Sequence, residues 1–163
     1  MSTLVIGVDP GGTTGVFAFA VLSESDVVVP FLGPVAAQIR GWEGVEPLLT
    51  GLLNRTKGER QLMAVEDFVI GGRTARSAHP AAGQRTRILI GTAREIAADH
   101  GAEFHTRPAA TVKPWATDKR LDAAGLLAAT RGMPHARDAA RQALYAAVHS
   151  GLIRDPLSKA TAS

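Results

Sequence analysis

One stretch constrains the fold of this chain more than any other: LVIGVDPGGTTGVFAFAV, from Leu4 to Val21. Leu4, Val5, Ile6 and Val8 form a nearly continuous apolar run, as expected of a strand covered on both faces. The run ends at Asp9 and enters the turn Pro10-Gly11-Gly12-Thr13-Thr14-Gly15, where proline and glycine allow the backbone angles of a tight reversal. Val16, Phe17, Phe19 and Val21 resume a β-prone pattern, so a second strand returns beside the first. A carboxylate at the end of a buried strand is expensive to desolvate unless a cation or hydrogen bonds satisfy it. Asp9 is therefore a candidate site residue, the plain alternative being a capped turn aspartate.

The remaining chain alternates strand and helix patterns. DVVVPFL, Asp26 to Leu32, reads as a third strand, with Pro30 marking an edge or an early end. Residues 33–42 read as a loop. Val45, Leu48, Leu49, Leu52 and Leu53 recur at three- and four-residue spacing and predict a helix from Trp42 to Thr56. QLMAVEDF, Gln61 to Phe68, is a fourth strand whose apolar run again ends in carboxylates, Glu66 and Asp67. After a Gly- and Arg-rich loop over 69–79, Pro80 opens a helix to Asp99, and Ala102 to Thr106 forms a short strand. Residues 108–117 read mostly as loop. A helix from Asp118 to Thr130, stopped by Gly132, and a last helix from Pro134 to Ser150 complete the chain. This order implies an α/β domain over residues 1–154: a mixed sheet with an antiparallel start and helices on its faces. Residues 155–163 read as a flexible tail.

No apolar run approaches the roughly 18–20 residues of a membrane span, and Asp9 interrupts the apolar run nearest the start, so neither a span nor a secretory leader is expected. The absence of cysteine excludes disulfides and thiolate metal sites and fits a reducing cytoplasm. The net charge is only +3, but its distribution is uneven. No acidic residue falls between Asp67 and Glu95, whereas Arg73, Arg76, Arg85, Arg87 and Arg94 all do. Residues 107–141 add seven Lys and Arg against three Asp. Such stripes suit a polyanion, because each cation can neutralise a phosphate and release counterions.

The acids form a second pattern. If the first and fourth strands are parallel neighbours, Asp9 meets one of the pair Glu66 and Asp67 at one edge of the sheet, where α/β proteins commonly place their sites. Adjacent strand residues point to opposite faces, so only one of the two can join Asp9, and pattern alone does not choose. His135 and Asp138, three residues apart at the start of the last helix, share a face, with Asp138 expected in the first turn, where the helix dipole favours an anion. Three carboxylates and an imidazole brought together repel one another unless cations sit between them. Oxygen-rich ligation with one nitrogen suits Mg²⁺ or Mn²⁺. Two such ions about 3.5–4 Å apart can activate water and stabilise the leaving oxygen in phosphodiester hydrolysis.

GVDPGGTTG, AVEDF and HARDAARQAL resemble, in order and spacing, blocks of the RuvC-like Holliday junction resolvases, and the resemblance spans residues 4 to about 150. It implies an RNase H-like mixed five-stranded sheet and a homodimeric, Mg²⁺-dependent endonuclease, with Mn²⁺ able to substitute. Its substrate would be branched DNA: a four-way junction, fork or flap. By that resemblance Asp9, Glu66, His135 and Asp138 are the catalytic, metal-binding residues. Lys113 and Lys119 resemble basic residues near the scissile phosphate, and Arg73, Arg76, Arg85 and Arg87 fall in the junction-facing and dimer-forming region. Asp67 and Phe68 are secondary candidates, since Phe68 lies one place earlier than the aromatic the family inserts at the crossover. The turn after Asp9 is one residue shorter than the bacterial pattern, which suits a phage-encoded member acting in a bacterial or phage-infected cytoplasm.

Two other readings compete. GVDPGGTTG is also similar to the phosphate loop of actin-like sugar kinases, although those enclose ATP between two lobes and leave the basic stripe and the late His-x-x-Asp without a role. A non-catalytic branched-DNA-binding protein is the third, and the full set of acids argues against it, because unpaired acids near phosphate are unfavourable. Trp42, Trp115 and the remaining histidines read as packing or surface residues.

Overall fold

The structure, a computed structural model, describes residues 2–22, 28–29, 34–68 and 80–158. Arg73, Arg76 and the rest of the Gly- and Arg-rich loop lie outside the described residues. Strands β1 (Ser2–Asp9) and β2 (Thr13–Leu22) pair antiparallel along their whole length, from Ser2 opposite Leu22 to Asp9 opposite Gly15. Two strands then follow one another along the far edge of β2, both antiparallel to it: β3 (Val28–Val29) and β4 (Val35–Arg40). On the other side of β1, β5 (Arg60–Asp67) is parallel to β1, and β6 (Glu103–Pro108) is parallel to β5. The six strands therefore fill five positions, with the antiparallel start and the mixed sheet that the sequence pattern implies.

β4 corrects the expectation of a loop over 33–42. Its sequence, VAAQIR, carries two alanines, which are weak strand formers, and it is only partly buried along its length. Neither an apolar run nor a sharp alternation marks it. Of the strand expected over Asp26 to Leu32, only Val28 and Val29 are described.

Strand parity divides the core. Leu4, Ile6, Val8, Val16, Ala18, Met63 and Val65 face α1 (Val45–Arg55) and α2 (Pro80–Asp99). Val5, Phe17, Phe19, Val21, Leu62 and Ala64 face the opposite layer. Each fully buried large side chain contributes roughly 1.5–3 kcal/mol, so burial on both faces fixes β1 at the centre. The start of β5 also closes α1: buried Gln61 donates from Nε2 to Leu53 O at 2.7 Å and to Thr56 O at 3.0 Å, satisfying carbonyls at the helix end.

After β6 a short helix, α3 (Ala109–Val112), interrupts the segment expected to be loop. The helix expected from Asp118 to Thr130 stops early, as α4 (Asp118–Ala123). Gly125 takes φ +73°, and Leu126 N donates to Leu121 O at 2.8 Å, a glycine closure that ends the helix. A 3₁₀ turn over Ala128–Thr130 leads to the last helix, α5 (Pro134–His149). That helix packs on the Val5–Phe17 face through Ala136, Ala139, Ala140, Ala143 and Ala147. The sheet answers with glycine. A Cβ at Gly7 would lie 1.9 Å from Ala139 O, and one at Gly15 would lie 2.0 Å from His135 O, so both positions require the missing side chain. No helix among the described residues is long and apolar enough to cross a membrane.

Candidate active site

The register of β1 and β5 brings the first two acids together. The parallel pairing runs to Val8 opposite Val65, making Asp9 and Glu66 the next residue on each strand. Asp9 continues the parity of Val5 and Gly7, and Glu66 continues that of Leu62 and Ala64, so both belong to the α5 face. Glu66 thus shares a face with Asp9, whereas by the same alternation Asp67 belongs with Met63 and Val65 on the α1–α2 face. Phe68 packs against that α1–α2 core, its ring close under Gly83 of α2.

The close approach of α5 supplies the rest. His135, Asp138 and Gln142 lie three and four residues apart, on one stripe of the helix. Asp138 falls beyond the first turn of α5, so the dipole argument for it gives way to specific cation partners. The start of the helix is tethered by β4: the His135 backbone N–H donates to Gln38 Oε1 at 2.7 Å, and Gln38 pairs opposite Gly15, the glycine under His135. His135 Nδ1 meets Asp9 Oδ2 at 2.9 Å. With Asp9 ionised, Nδ1 carries the proton of this contact, and in the neutral imidazole Nε2 is then the nitrogen with the lone pair. The β1–β2 turn is closed by Thr14, whose Oγ1 donates to Gly11 O at 3.3 Å.

Lys113, just after α3, stands between the other two acids. Its Nζ donates to Asp138 Oδ2 at 2.8 Å and lies 3.8 Å from Glu66 Oε2. The second oxygen of Asp138, Oδ1, accepts from Arg141 Nη1. Buried Gln142 reaches Glu66 Oε2 and the Arg107 carbonyl at 3.5 and 3.4 Å, long contacts that hold the carboxylate against the helix. Burial is the main cause that raises Asp9 above the usual carboxylate range. Asp138 adds repulsion, while the His135 hydrogen bond and, more weakly, Lys113 pull the other way. Glu66 is raised by burial first and then by Asp9 and Asp138, against the opposing pull of Lys113 and Gln142. Burial works to lower the Lys113 ammonium, but the Asp138 hydrogen bond and the charges of Glu66, Asp138 and Asp9 outweigh it, so its pKa is raised.

This pocket concentrates carboxylates that burial and mutual repulsion leave under-compensated. Three carboxylates and one imidazole nitrogen are a donor set that suits a hard divalent ion. Among the described residues, no three His, Asp or Glu side chains are gathered at the spacing of a single coordination shell. Lys113 is the cation between Glu66 and Asp138. A divalent ion fits the chemistry of the site once the ammonium moves aside.

Arg85 and Arg87 are exposed near the start of α2, and Lys119 is exposed at the start of α4. Arg85 lines an open cleft of about 350 Å³ with Gly11, Gly12, Gly41, Trp42, Glu43 and Leu89, beside the turn that follows Asp9. Sequence reasoning missed Gln38, Arg141 and Gln142. Gln38 sits in the unrecognised strand, whereas Arg141 and Gln142 carried a usable signal, being three and four residues after Asp138 on a helix.

No protein-family model matches this chain, and no curated protein matches it. In three dimensions it is similar to T. thermophilus RuvC, solved in complex with a Holliday junction substrate. The TM-score is 0.64 over 92% of this chain and 96% of that one, with 16% sequence identity. That likeness shows the fold: this is an RNase H-like, RuvC-type mixed α/β sheet.

Proposed function

We propose that this protein is a divalent-metal-dependent endonuclease that cleaves branched DNA, Holliday junctions foremost, by phosphodiester hydrolysis. One observation carries the reading: Asp9, Glu66, His135 and Asp138, from three distant segments, converge on one face of the sheet at the ends of β1 and β5. The fold shared with T. thermophilus RuvC supports it, as do the basic segments.

In this reading Asp9, Glu66, Asp138 and His135 Nε2 hold Mg²⁺, with Mn²⁺ able to substitute and two ions in the full complement. When bound, the ions would lower the pKa of a water and stabilise charge at the scissile phosphate. His135 Nδ1 fixes the Asp9 carboxylate, and Gln142 fixes that of Glu66. Lys113, once displaced from the acids, would be free to donate to a phosphate oxygen. Arg85, Arg87 and Lys119, with Arg73 and Arg76, neutralise backbone phosphates along the arms. Phe68 and Asp67 take no part in the chemistry. A homodimer, each copy cutting one strand of the junction, and an origin in a phage belong to the same proposal.

The test is incubation of the purified protein with labelled four-way junction, fork and duplex, with and without Mg²⁺. Mg²⁺-dependent nicking of branched but not linear DNA is the expected result. Binding without cleavage of any of the three overturns the reading.

A further inference from the structure

Asp138 differs from Asp9 and Glu66 in how it is held. Its Oδ1 accepts from Arg141 Nη1, and the same guanidinium donates through Nη2 to Asp118 Oδ1 at the start of α4. Arg137 Nη1 donates to the second Asp118 oxygen at 3.3 Å, so Asp118 is held from two sides. Arg141 is four-fifths buried, and its Nε has no hydrogen-bond partner among the described residues. A guanidinium taken out of water with one N–H unsatisfied is unfavourable for stability. Lys113 meets the opposite oxygen, Oδ2, at 2.8 Å, and the same ammonium lies 3.8 Å from Glu66 Oε2.

We infer that Arg141, braced by Asp118, makes Asp138 a one-oxygen donor and thereby biases the site toward small, octahedral cations and against Ca²⁺. The inference rests on the proposed metal site and deepens it. Mg²⁺ demands near-ideal octahedral geometry and is bound through single carboxylate oxygens and water. Ca²⁺ takes more ligands and readily accepts both oxygens of one carboxylate. With Oδ1 occupied by the arginine, a cation that replaces Lys113 meets Oδ2 alone. Arg141 is a positioning residue: it acts through Asp138 and on the choice of ion.

The experiment is calorimetric titration of Mg²⁺ and Ca²⁺ into the wild-type protein, Arg141→Gln, Arg141→Lys and Asp118→Asn, read as the ratio of the two dissociation constants. Loss of a positive charge strengthens both ions alike, because they carry the same charge, so the ratio isolates the carboxylate geometry. Arg141→Gln is expected to shift the ratio toward Ca²⁺ by roughly tenfold, the scale on which partners of metal ligands act. Arg141→Lys keeps the charge but cannot fork between Asp118 and Asp138, and is expected to shift the ratio by less in the same direction. Asp118→Asn leaves the arginine in place without its brace and reports in the same direction even if Arg141→Gln does not fold. An unchanged ratio in the folded variants, with wild-type metal binding intact, overturns the inference alone. Absence of divalent binding by the wild type overturns it together with the proposed metal site.

Discussion

Gly15→Ala tests how tightly the site depends on the contact between α5 and the sheet. The added methyl would sit 2.0 Å from His135 O, 2.2 Å from His135 C and 2.7 Å from Ala136 N. Ordinary contact begins near 3.4 Å, so strand and helix must part by about 1.4 Å, a gap that side-chain rotation cannot supply because every atom met is backbone. The displaced segment carries the hydrogen bond from His135 N to Gln38 and that from His135 Nδ1 to Asp9, so both lengthen. Overpacking of this kind costs about 1–3 kcal/mol. For a domain of this size that is a fall of roughly 2–12 °C in melting temperature. Displacement of catalytic groups by about 1 Å lowers turnover on the order of a hundredfold. Thermal melts and initial rates of junction nicking measure the two effects. Gly51→Ala in α1, where the new Cβ meets nothing within 4 Å, is the control and is expected to hold or raise stability. A Gly15→Ala protein that melts and cleaves like wild type would refute the close-contact argument.

Asp9 and Glu66 have folded-state pKa values raised above their unfolded ones, so the folded protein binds more protons than the unfolded chain across the interval between them. Their contribution is fully present below the ordinary carboxylate range and is lost as pH rises through the raised values, so melting temperature in chelator should climb as pH falls through that window. Asp155 and Glu103, held low by hydrogen bonds from Arg120 and Arg60, act in the opposite sense and only below the ordinary range. Asp9→Asn should flatten the upper part of the profile, add about 0.5–2 kcal/mol of stability and abolish nicking while junction binding persists; a profile identical to wild type counts against the burial argument. Gln38→Ala removes the acceptor for His135 N and should lower stability by about 1 kcal/mol in denaturant melts, with a larger proportional loss of nicking. Arg85→Ala, Arg87→Ala and Lys119→Ala should each reduce the slope of log affinity against log salt by about 1 in fluorescence titrations with junction DNA. A slope unchanged in all three would remove them from the interface.

The parts of the site legible in sequence were those written as local contrasts. Asp9 and Glu66 interrupt long apolar runs, and His135 and Asp138 share a helical face. The resemblance favours Glu66 over Asp67, but the strand pattern alone does not separate them; which of the two shares a face with Asp9 depends on two non-local facts, the register of β1 on β5 and the side of the sheet that α5 covers. Both are set by packing of residues far apart in the chain. β4 escaped because an alanine-containing edge strand has no strong pattern, and with it went Gln38, whose role depends on a glycine in the neighbouring strand. Resemblance places Lys113 near a phosphate, but its position beside Glu66 and Asp138 follows from the short helix α3, whose four residues lie between Pro108 and Pro114. The early stop of α4 turns on the positive φ of Gly125, seven residues before Gly132, the stop the sequence suggests.

The central claim is that the Asp9–Glu66–Asp138 pocket is built to receive divalent ions. Anomalous diffraction from crystals soaked in Mn²⁺ tests it most directly. A peak bounded by those three carboxylates and His135 is expected, with the Lys113 ammonium turned away from Asp138. Saturating Mn²⁺ with no peak there, and Lys113 still bonded to Asp138, would contradict it.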